Sequence, residues 1–175
     1  MWVFDATPLI YLAKVEQLAL VHYLDESCVV PEQVYAEVVE TGLDRGHPDA
    51  RRIERAVEDG RFEVRAVEDT ALTARLRTNS NLSEAGVAVL SCAATHEGIA
   101  VMDETYGRDV AATEGITTRG TAYLVLSLAS EGALDGTAAR TSIDELIDEG
   151  WYCSPNVYAK LVRKLDSISG SSTHD

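Results

Sequence analysis

The sequence of 175 residues has few cysteines, few lysines and no long hydrophobic run. The cysteines Cys28, Cys92 and Cys153 are scattered, and they form neither a CxxC pair nor a Cys/His spacing suited to zinc. We therefore expect three reduced thiols. No apolar stretch approaches membrane-spanning length, and the N-terminus lacks the basic start and apolar core of a signal peptide. These absences favour a cytoplasmic protein with no membrane contact.

The sequence also lacks the common signatures of nucleotide binding and of nucleophilic catalysis. It contains no glycine-rich phosphate-binding loop. Its four histidines are isolated, so that they form neither a Ser/His/Asp pattern nor a two-histidine helical pair. The histidines are therefore expected to have surface or structural roles.

Positive charge is scarce. The chain has 29 Asp and Glu residues against 15 Lys and Arg residues, which gives a net charge of −14, and its only lysines are Lys14, Lys160 and Lys164. Excess carboxylate with few lysines is typical of proteins from halophilic organisms, in which strong screening makes self-repulsion tolerable. An acidic protein does not attract nucleic acid by its overall field. Any nucleic-acid site would therefore need local arginines or bound cations.

Short apolar segments alternate with helical segments along the chain. Strands are predicted at residues 2–4, 28–30, 62–67, 99–102 and 116–118. Helices are predicted at residues 8–15, 18–24, 31–40, 49–59, 70–77, 83–96, 106–114, 120–131, 138–149 and 155–165. Gly42 follows the third of these helices and is expected to close it.

This alternation predicts an α/β fold, with a central parallel sheet flanked by helices on both faces. A single domain is expected to span residues 1–166. Residues 167–175, which are rich in Ser and Gly, are expected to form a flexible C-terminal tail.

Acidic residues stand at the ends of the two most apolar strands. Asp5 follows the first strand directly, and Asp103 follows the strand at residues 99–102. In an open parallel sheet, sites form beyond the carboxyl ends of the strands, so both carboxylates are expected at the same edge. Taken singly, each is better explained as a helix cap or a turn residue.

Two glutamates join these aspartates as candidates. Glu37 lies at the boundary of the buried stripe formed by Val34 and Val38, where a carboxylate can lean over a sheet edge. Glu84 lies in the first turn of a helix that Ser83 can cap, and the helix dipole favours an acid there whatever its function.

Four segments of the sequence resemble, in order and spacing, the acidic segments of PIN-domain ribonucleases of the VapC-like toxin group. The four segments are Asp5–Lys14, Val30–Val38, Leu82–Leu90 and Ala100–Glu104. Further on, Gly120-Thr121 and the run from Ile147 to Tyr152 resemble the end of one PIN subgroup. The resemblance covers roughly residues 1–165 and implies a single PIN-like domain.

The resemblance also implies a chemistry. It implies that an acidic cluster binds Mg²⁺ or Mn²⁺ and hydrolyses RNA phosphodiester bonds, and hard cations of this kind prefer oxygen ligands. The residues implied as catalytic and metal-binding are Asp5, Glu37, Glu84 and Asp103. Three more residues are candidates for contacts with the substrate: Thr7, Arg108 and Arg119. Ordinary roles, as a helix-start residue for Thr7 and as salt-bridge partners for the arginines, are equally open.

One position departs from the family pattern. The third segment of this subgroup usually reads Gly-Glu-Ala-Glu, whereas this sequence has Ser83-Glu84-Ala85-Gly86. One acid is therefore missing at Gly86, and Glu84, Glu104 or Asp109 could compensate for it.

Three functions are therefore open. The first is an endoribonuclease acting as the toxin of a toxin–antitoxin pair. The second is a catalytically degraded PIN-like module that binds protein or nucleic acid, and the third is a structure-specific DNA nuclease. The helical segments 8–15 and 18–24 carry apolar residues on more than one side, which predicts a homodimer or an antitoxin partner.

Overall fold

A parallel sheet forms the centre of the N-terminal part of the chain in the computed structural model, which describes residues 1–171. Its five strands within the described residues are β1 (Trp2–Phe4), β2 (Cys28–Pro31), β3 (Glu63–Arg65), β4 (Ile99–Val101) and β5 (Thr117–Arg119). They lie in the order β3-β2-β1-β4-β5, and every neighbouring pair is parallel. The first strand is therefore central, between β2 and β4. The predicted α/β fold with a parallel central sheet is confirmed.

Helices flank this sheet and connect its strands. In chain order they are α1 (Ala6–Lys14), a 3-10 helix (Leu18–Tyr23), α2 (Glu32–Tyr35), a π-helical segment (Ala36–Glu40), α3 (Thr41–Asp44), α4 (Pro48–Glu58), α5 (Ala71–Arg77), α6 (Glu84–Thr95) and α7 (Thr105–Thr113). Helix α6 packs against β1, β2 and β4. Because its residues are small or apolar, every residue from Ala85 to Ala93 is buried.

Both faces of the central strands are buried and form the core around the sheet. Val3 and Phe4 of β1, Val29 of β2 and Val101 of β4 are fully buried. The ring of Phe4 meets that of Phe62 edge to face, with 5.2 Å between the ring centroids. The short apolar runs that predicted these strands are thus buried in the sheet.

The chain divides into two compact units, and the first ends at Gly120. The second begins at Thr121 and contains α8 (Thr121–Ser130), α9 (Gly136–Asp148) and α10 (Pro155–Ser171), which pack on one another. Leu128, Ile143 and Leu146 are buried in this unit. Within it, the Tyr158 hydroxyl donates a hydrogen bond of 2.7 Å to Oδ1 of Asp144.

The prediction that Gly42 closes a helix is wrong. The helical run that begins at Glu32 continues to Asp44, and the chain turns at Gly46, whose φ is +75°. At Gly42 a Cβ atom would lie 2.7 Å from the Cβ of Ala50, so that the glycine allows α4 to approach closely. Packing between helices therefore explains this glycine.

The C-terminal helix also runs further than predicted. Helix α10 reaches Ser171, so the first residues of the predicted tail at 167–175 are helical, while residues 172–175 lie outside the described part of the chain. Nowhere in residues 1–171 does a helix combine the length and the apolar character needed to cross a membrane.

Candidate acidic site

Asp5 and Asp103 leave the sheet at the same edge. Strands β1 and β4 are adjacent and parallel, with Phe4 opposite Val101, and the Asp5 backbone N–H donates a hydrogen bond of 2.9 Å to the Val101 carbonyl. Asp103 lies two residues after Val101, the last residue of β4. Its Oδ1 would lie 2.9 Å from a Cβ at Gly120, just past the end of β5. The strand ends thus place both aspartates at one edge of the sheet, as the sequence predicts for parallel strands.

Asp5 is the N-cap of α1. Its Oδ1 accepts a hydrogen bond of 2.8 Å from the Ala6 backbone N–H, which fixes the carboxylate at the start of the helix. Burial raises the pKa of Asp5 from 3.8 to about 6, against the lowering effect of the Ala6 hydrogen bond. The negative charges of three further carboxylates, those of Glu37, Asp103 and Glu104, raise this pKa as well. Three other carboxylates therefore act electrostatically on Asp5.

A cavity of about 180 Å³ lies at this edge, and we call it the acidic pocket. The residues that line it and bear on its chemistry are Asp5, Thr7, Glu37, Gly86 and Glu104. Thr7 is thus placed within reach of anything bound there. Glu37 belongs to the π-helical segment and is exposed, so that its carboxylate can turn toward the pocket.

Glu104 is held at the rim of the acidic pocket by the helix that follows it. As the N-cap of α7, it accepts hydrogen bonds from the backbone N–H groups of Gly107, at 2.6 Å, and Tyr106, at 2.9 Å. The carboxylate lies close to the helix because Gly107 has no side chain, and a Cβ there would be 3.0 Å from Oε2. The sequence suggested Glu104 only as a substitute for the acid missing at Gly86. Its spacing to Gly107, that of an N-cap to the third helical residue, is the signal that could have placed it.

The structure does not bring Glu84 into the acidic pocket. Glu84 lines a different cavity, and it is not among the charges that raise the pKa of Asp5. Gly86, two residues later on α6, lines the acidic pocket instead. Two residues correspond to about 200° around a helix, so the two positions face nearly opposite directions. The position where the family pattern has its second acid is therefore the one that faces the pocket.

The remaining candidates lie around this edge. Arg108 is exposed on α7, and its guanidinium lies 3.6 Å from the position of a Cβ at Gly120, beside which Asp103 also lies. Arg119 is half-buried in β5, and its guanidinium donates a hydrogen bond of 2.8 Å to the Thr118 carbonyl. Asp109 is exposed on α7 and does not line the acidic pocket. Of the two arginines, Arg108 has the more accessible guanidinium.

The acidic pocket suits a hard cation in its chemistry. Carboxylate oxygens are the ligands that Mg²⁺ and Mn²⁺ prefer, and the carboxylates of Asp5, Glu37 and Glu104 line the pocket, while Asp103 stands outside this lining. A cation there would offset the negative charges that raise the pKa of Asp5. As the side chains stand, however, residues 1–171 contain no group of three or more His, Cys, Asp or Glu residues placed to hold one ion together. Exposed Glu37 would therefore have to turn inward to complete a ligand set.

A parallel α/β sheet with carboxylates gathered beyond its carboxyl edge defines the class of protein to which this chain belongs. A family model described as a PIN domain matches residues 1–167, and the chain belongs to this family. PIN domains are usually nucleases, they act on nucleic acids, and they typically use divalent metals such as Mg²⁺ or Mn²⁺. No curated protein matches the chain closely enough to count as a relative. The resemblance to PIN domains is confirmed, while the VapC-like subgroup stays a prediction.

Proposed function

We propose that this chain is a divalent-metal-dependent endoribonuclease and that the acidic pocket is its active site. One observation carries the proposal: Asp5 is held at the sheet edge among the carboxylates of Glu37, Asp103 and Glu104, whose charges raise its pKa. Groups of like charge in one cleft are costly unless something binds there, which makes such a cluster a candidate functional site.

We propose Asp5, Glu37, Asp103 and Glu104 as the residues that hold the cation, with Glu104 in the place that the sequence gave to Glu84. When bound, a divalent cation supplies Lewis acidity and offsets the charge of the phosphodiester. Asp5 and Glu104 are preorganised for this role because both carboxylates are fixed by backbone N–H groups at helix starts.

The second glutamate of the set is less firmly held. Glu37 stands on the π-helical segment, a kind of helix distortion that is frequent at functional sites. The segment is closed by the Thr41 hydroxyl, which donates a hydrogen bond of 3.2 Å to the Ala36 carbonyl. We propose that Glu37 moves onto the cation as it binds.

Two other residues are proposed to hold the substrate. Thr7 lines the acidic pocket and can orient a phosphate or a water molecule through its hydroxyl. Arg108 lies beside Asp103 with an exposed guanidinium, which can bind a phosphate oxygen through charge-assisted hydrogen bonds. Local positive charge is needed here because the chain as a whole carries −14.

The choice of RNA, the toxin role and the partners rest on the resemblance to VapC-like toxins. The predicted partner surface is smaller than expected, since Leu9, Leu12, Leu18 and Val21 are all buried. Half-buried Ile10, Leu20 and Leu24 remain as candidate contacts with an antitoxin or with a second copy of the chain.

Cleavage of labelled oligonucleotides tests the proposal. RNA and DNA of the same sequence are offered with Mn²⁺, with Mg²⁺ or with a chelator, to the unchanged protein and to Asp5→Asn. Asn keeps the helix cap but removes the charge, so we expect metal-dependent RNA cleavage that is lost in this variant. Asp49→Asn, in the first turn of α4, is the matched control and should cleave normally.

A second candidate function follows from Gly86. The acidic pocket lacks a carboxylate at the position that faces it, which favours a PIN-like module that binds protein or nucleic acid without cutting. RNA binding without cleavage under every metal condition would favour this module, whereas cleavage of DNA alone would favour a DNA nuclease.

A further inference from the structure

A second cavity, of about 260 Å³, lies next to the acidic pocket, and Leu82 lines both. We propose that this cavity, which we call the base pocket, binds one nucleobase of the substrate strand, with guanine preferred. The proposal rests on the proposed function, because it takes the neighbouring phosphate to lie in the acidic pocket. It also gives Glu84 a role that the acidic pocket does not.

The walls of the base pocket suit a flat ring. Leu82, Val87, Ala88 and Val67 supply apolar surface, and a base inserted between such side chains loses contact with water on both of its faces. The volume is below the roughly 300 Å³ at which pockets for larger organic ligands begin, which suits a single ring system.

Two side chains supply hydrogen-bond acceptors to the base pocket. The side-chain oxygen of Gln33 is buried and accepts no hydrogen bond from any residue that the structure describes. Buried acceptors are nearly always paired, and because this oxygen is out of the reach of solvent, the Gln33 amide would have to turn toward the cavity to accept a hydrogen bond from a ligand there. Glu84 contributes a carboxylate from the first turn of α6, and an ionised carboxylate only accepts hydrogen bonds.

Three other polar side chains of the base pocket already take part in hydrogen bonds or ion pairs. The amide oxygen of Asn79 accepts hydrogen bonds from the Tyr106 hydroxyl, at 3.0 Å, and from the Asn81 backbone N–H, at 3.2 Å. The Thr73 hydroxyl donates to the Glu68 carbonyl at 3.0 Å, and Arg77 forms an ion pair with Asp69. Ser80 lines the cavity as well, and recognition is assigned to the acceptors of Gln33 and Glu84.

Two acceptors select among the bases by their donors. The Watson–Crick edge of guanine presents two adjacent donors, its ring N1–H and its exocyclic amino group. Adenine and cytosine present one amino group on that edge, and uracil presents one ring N–H. A base is read on this edge when it is unstacked from its strand, as in single-stranded RNA. Guanine is therefore the best match to the base pocket.

Nucleoside titration, followed by ¹⁵N-resolved NMR, tests the base pocket without any cleavage. Guanosine should shift the backbone signals of Val87 and Ala88, and adenosine, cytidine and uridine should bind about tenfold more weakly or worse. Gln33→Met removes the buried acceptor at similar size, and Glu84→Gln removes the charge. Each should weaken guanosine binding by about threefold to tenfold or more, while Asp49→Asn, which lines neither cavity, should bind as the unchanged protein does.

The outcomes separate this proposal from the proposed function. Asp5→Asn should bind guanosine normally while it loses cleavage, and guanosine binding in a protein that does not cut RNA still supports the base pocket. Metal-dependent cleavage by a protein whose Val87 and Ala88 signals do not shift when guanosine is added would overturn the base pocket. The proposed nuclease function would be unaffected by that result. Equal binding of all four nucleosides, or equal guanosine binding in both pocket variants and the control, would also overturn it. The dispersion of the same spectra shows whether each variant is folded.

Discussion

Glu84 and Gly86 are two residues apart on α6 and line two different cavities. The acidic residue faces the base pocket, whereas the glycine faces the acidic pocket. Position 86 therefore decides how many carboxylates the acidic pocket contains. Position 84 contributes a negative charge to the base pocket.

Gly86→Glu should strengthen cation binding. A Cβ at this position would lie 3.3 Å from the Ser83 hydroxyl, so a side chain fits after a small shift of Ser83 and extends into the acidic pocket. A ligand that binds only the folded state stabilises it, so the rise in melting temperature with Mn²⁺ should be larger than in the unchanged protein. Gly86→Gln is the control of equal size without charge. Equal rises in the glutamate and glutamine variants would contradict a metal role for this position.

Glu104→Gln and Glu84→Gln should differ in their response to metal. Glu104 lines the acidic pocket, so its loss of charge should reduce the stabilisation by Mn²⁺. It should also cost about 1 kcal/mol of folding stability without metal, because an amide can accept only one of the two cap hydrogen bonds. Glu84→Gln should leave the metal response unchanged. Melting curves with and without Mn²⁺ measure both effects, and a reversed order would return Glu84 to the metal site.

Asp5 should make the metal-free protein less stable as the pH rises. The pKa of Asp5 is about 6 in the folded chain and near 3.8 without its surroundings, so the folded state binds more protons between these values and unfolding is favoured by a rising pH. Above pH 6 the penalty is constant and on the order of 3 kcal/mol. Asp5→Asn keeps the cap without the charge, so its advantage in unfolding free energy over the unchanged protein should grow between pH 4 and pH 6.

Denaturant unfolding of both proteins in the presence of a chelator measures this advantage. A difference that stays constant from pH 4 to pH 7 would show that Asp5 ionises normally in the folded chain.

Cleavage should pass through an optimum as salt is raised. The net charge of −14 repels RNA at low ionic strength, and added salt screens this repulsion while it also weakens arginine–phosphate contacts. Arg108→Ala should lower cleavage several-fold at every salt concentration, chiefly through a higher KM, because its guanidinium is exposed beside Asp103. Arg119→Ala is predicted to lower cleavage with little loss of folding.

Cleavage rates against KCl concentration at fixed Mn²⁺, with circular dichroism in the same buffers, test the salt prediction and both arginines. A steady fall in rate while the protein stays folded would show that the acidic surface does not govern the approach of RNA. Unchanged rates in an arginine variant would exclude that arginine from phosphate binding.

The sheet and the placement of two aspartates follow from the amino-acid pattern alone. Short apolar runs that end at Asp5 and Asp103 become adjacent parallel strands, and the carboxyl ends of parallel strands meet at one edge whatever the rest of the chain does. The cap of α6 by Ser83 was also readable, because capping depends on a few neighbouring residues; its hydroxyl accepts a hydrogen bond of 2.9 Å from the Gly86 N–H.

The side of α6 that faces the acidic pocket depends instead on packing between distant parts of the chain. A helix with one apolar stripe can be oriented from its sequence, but every residue from Ala85 to Ala93 is buried, so no polar face indicates its rotation. Packing against β1, β2 and β4 fixes that rotation, which sends Gly86 to one cavity and Glu84 to the other. Gly42 was misread for a related reason, since its close approach to Ala50 is a contact between helices that a local pattern does not contain.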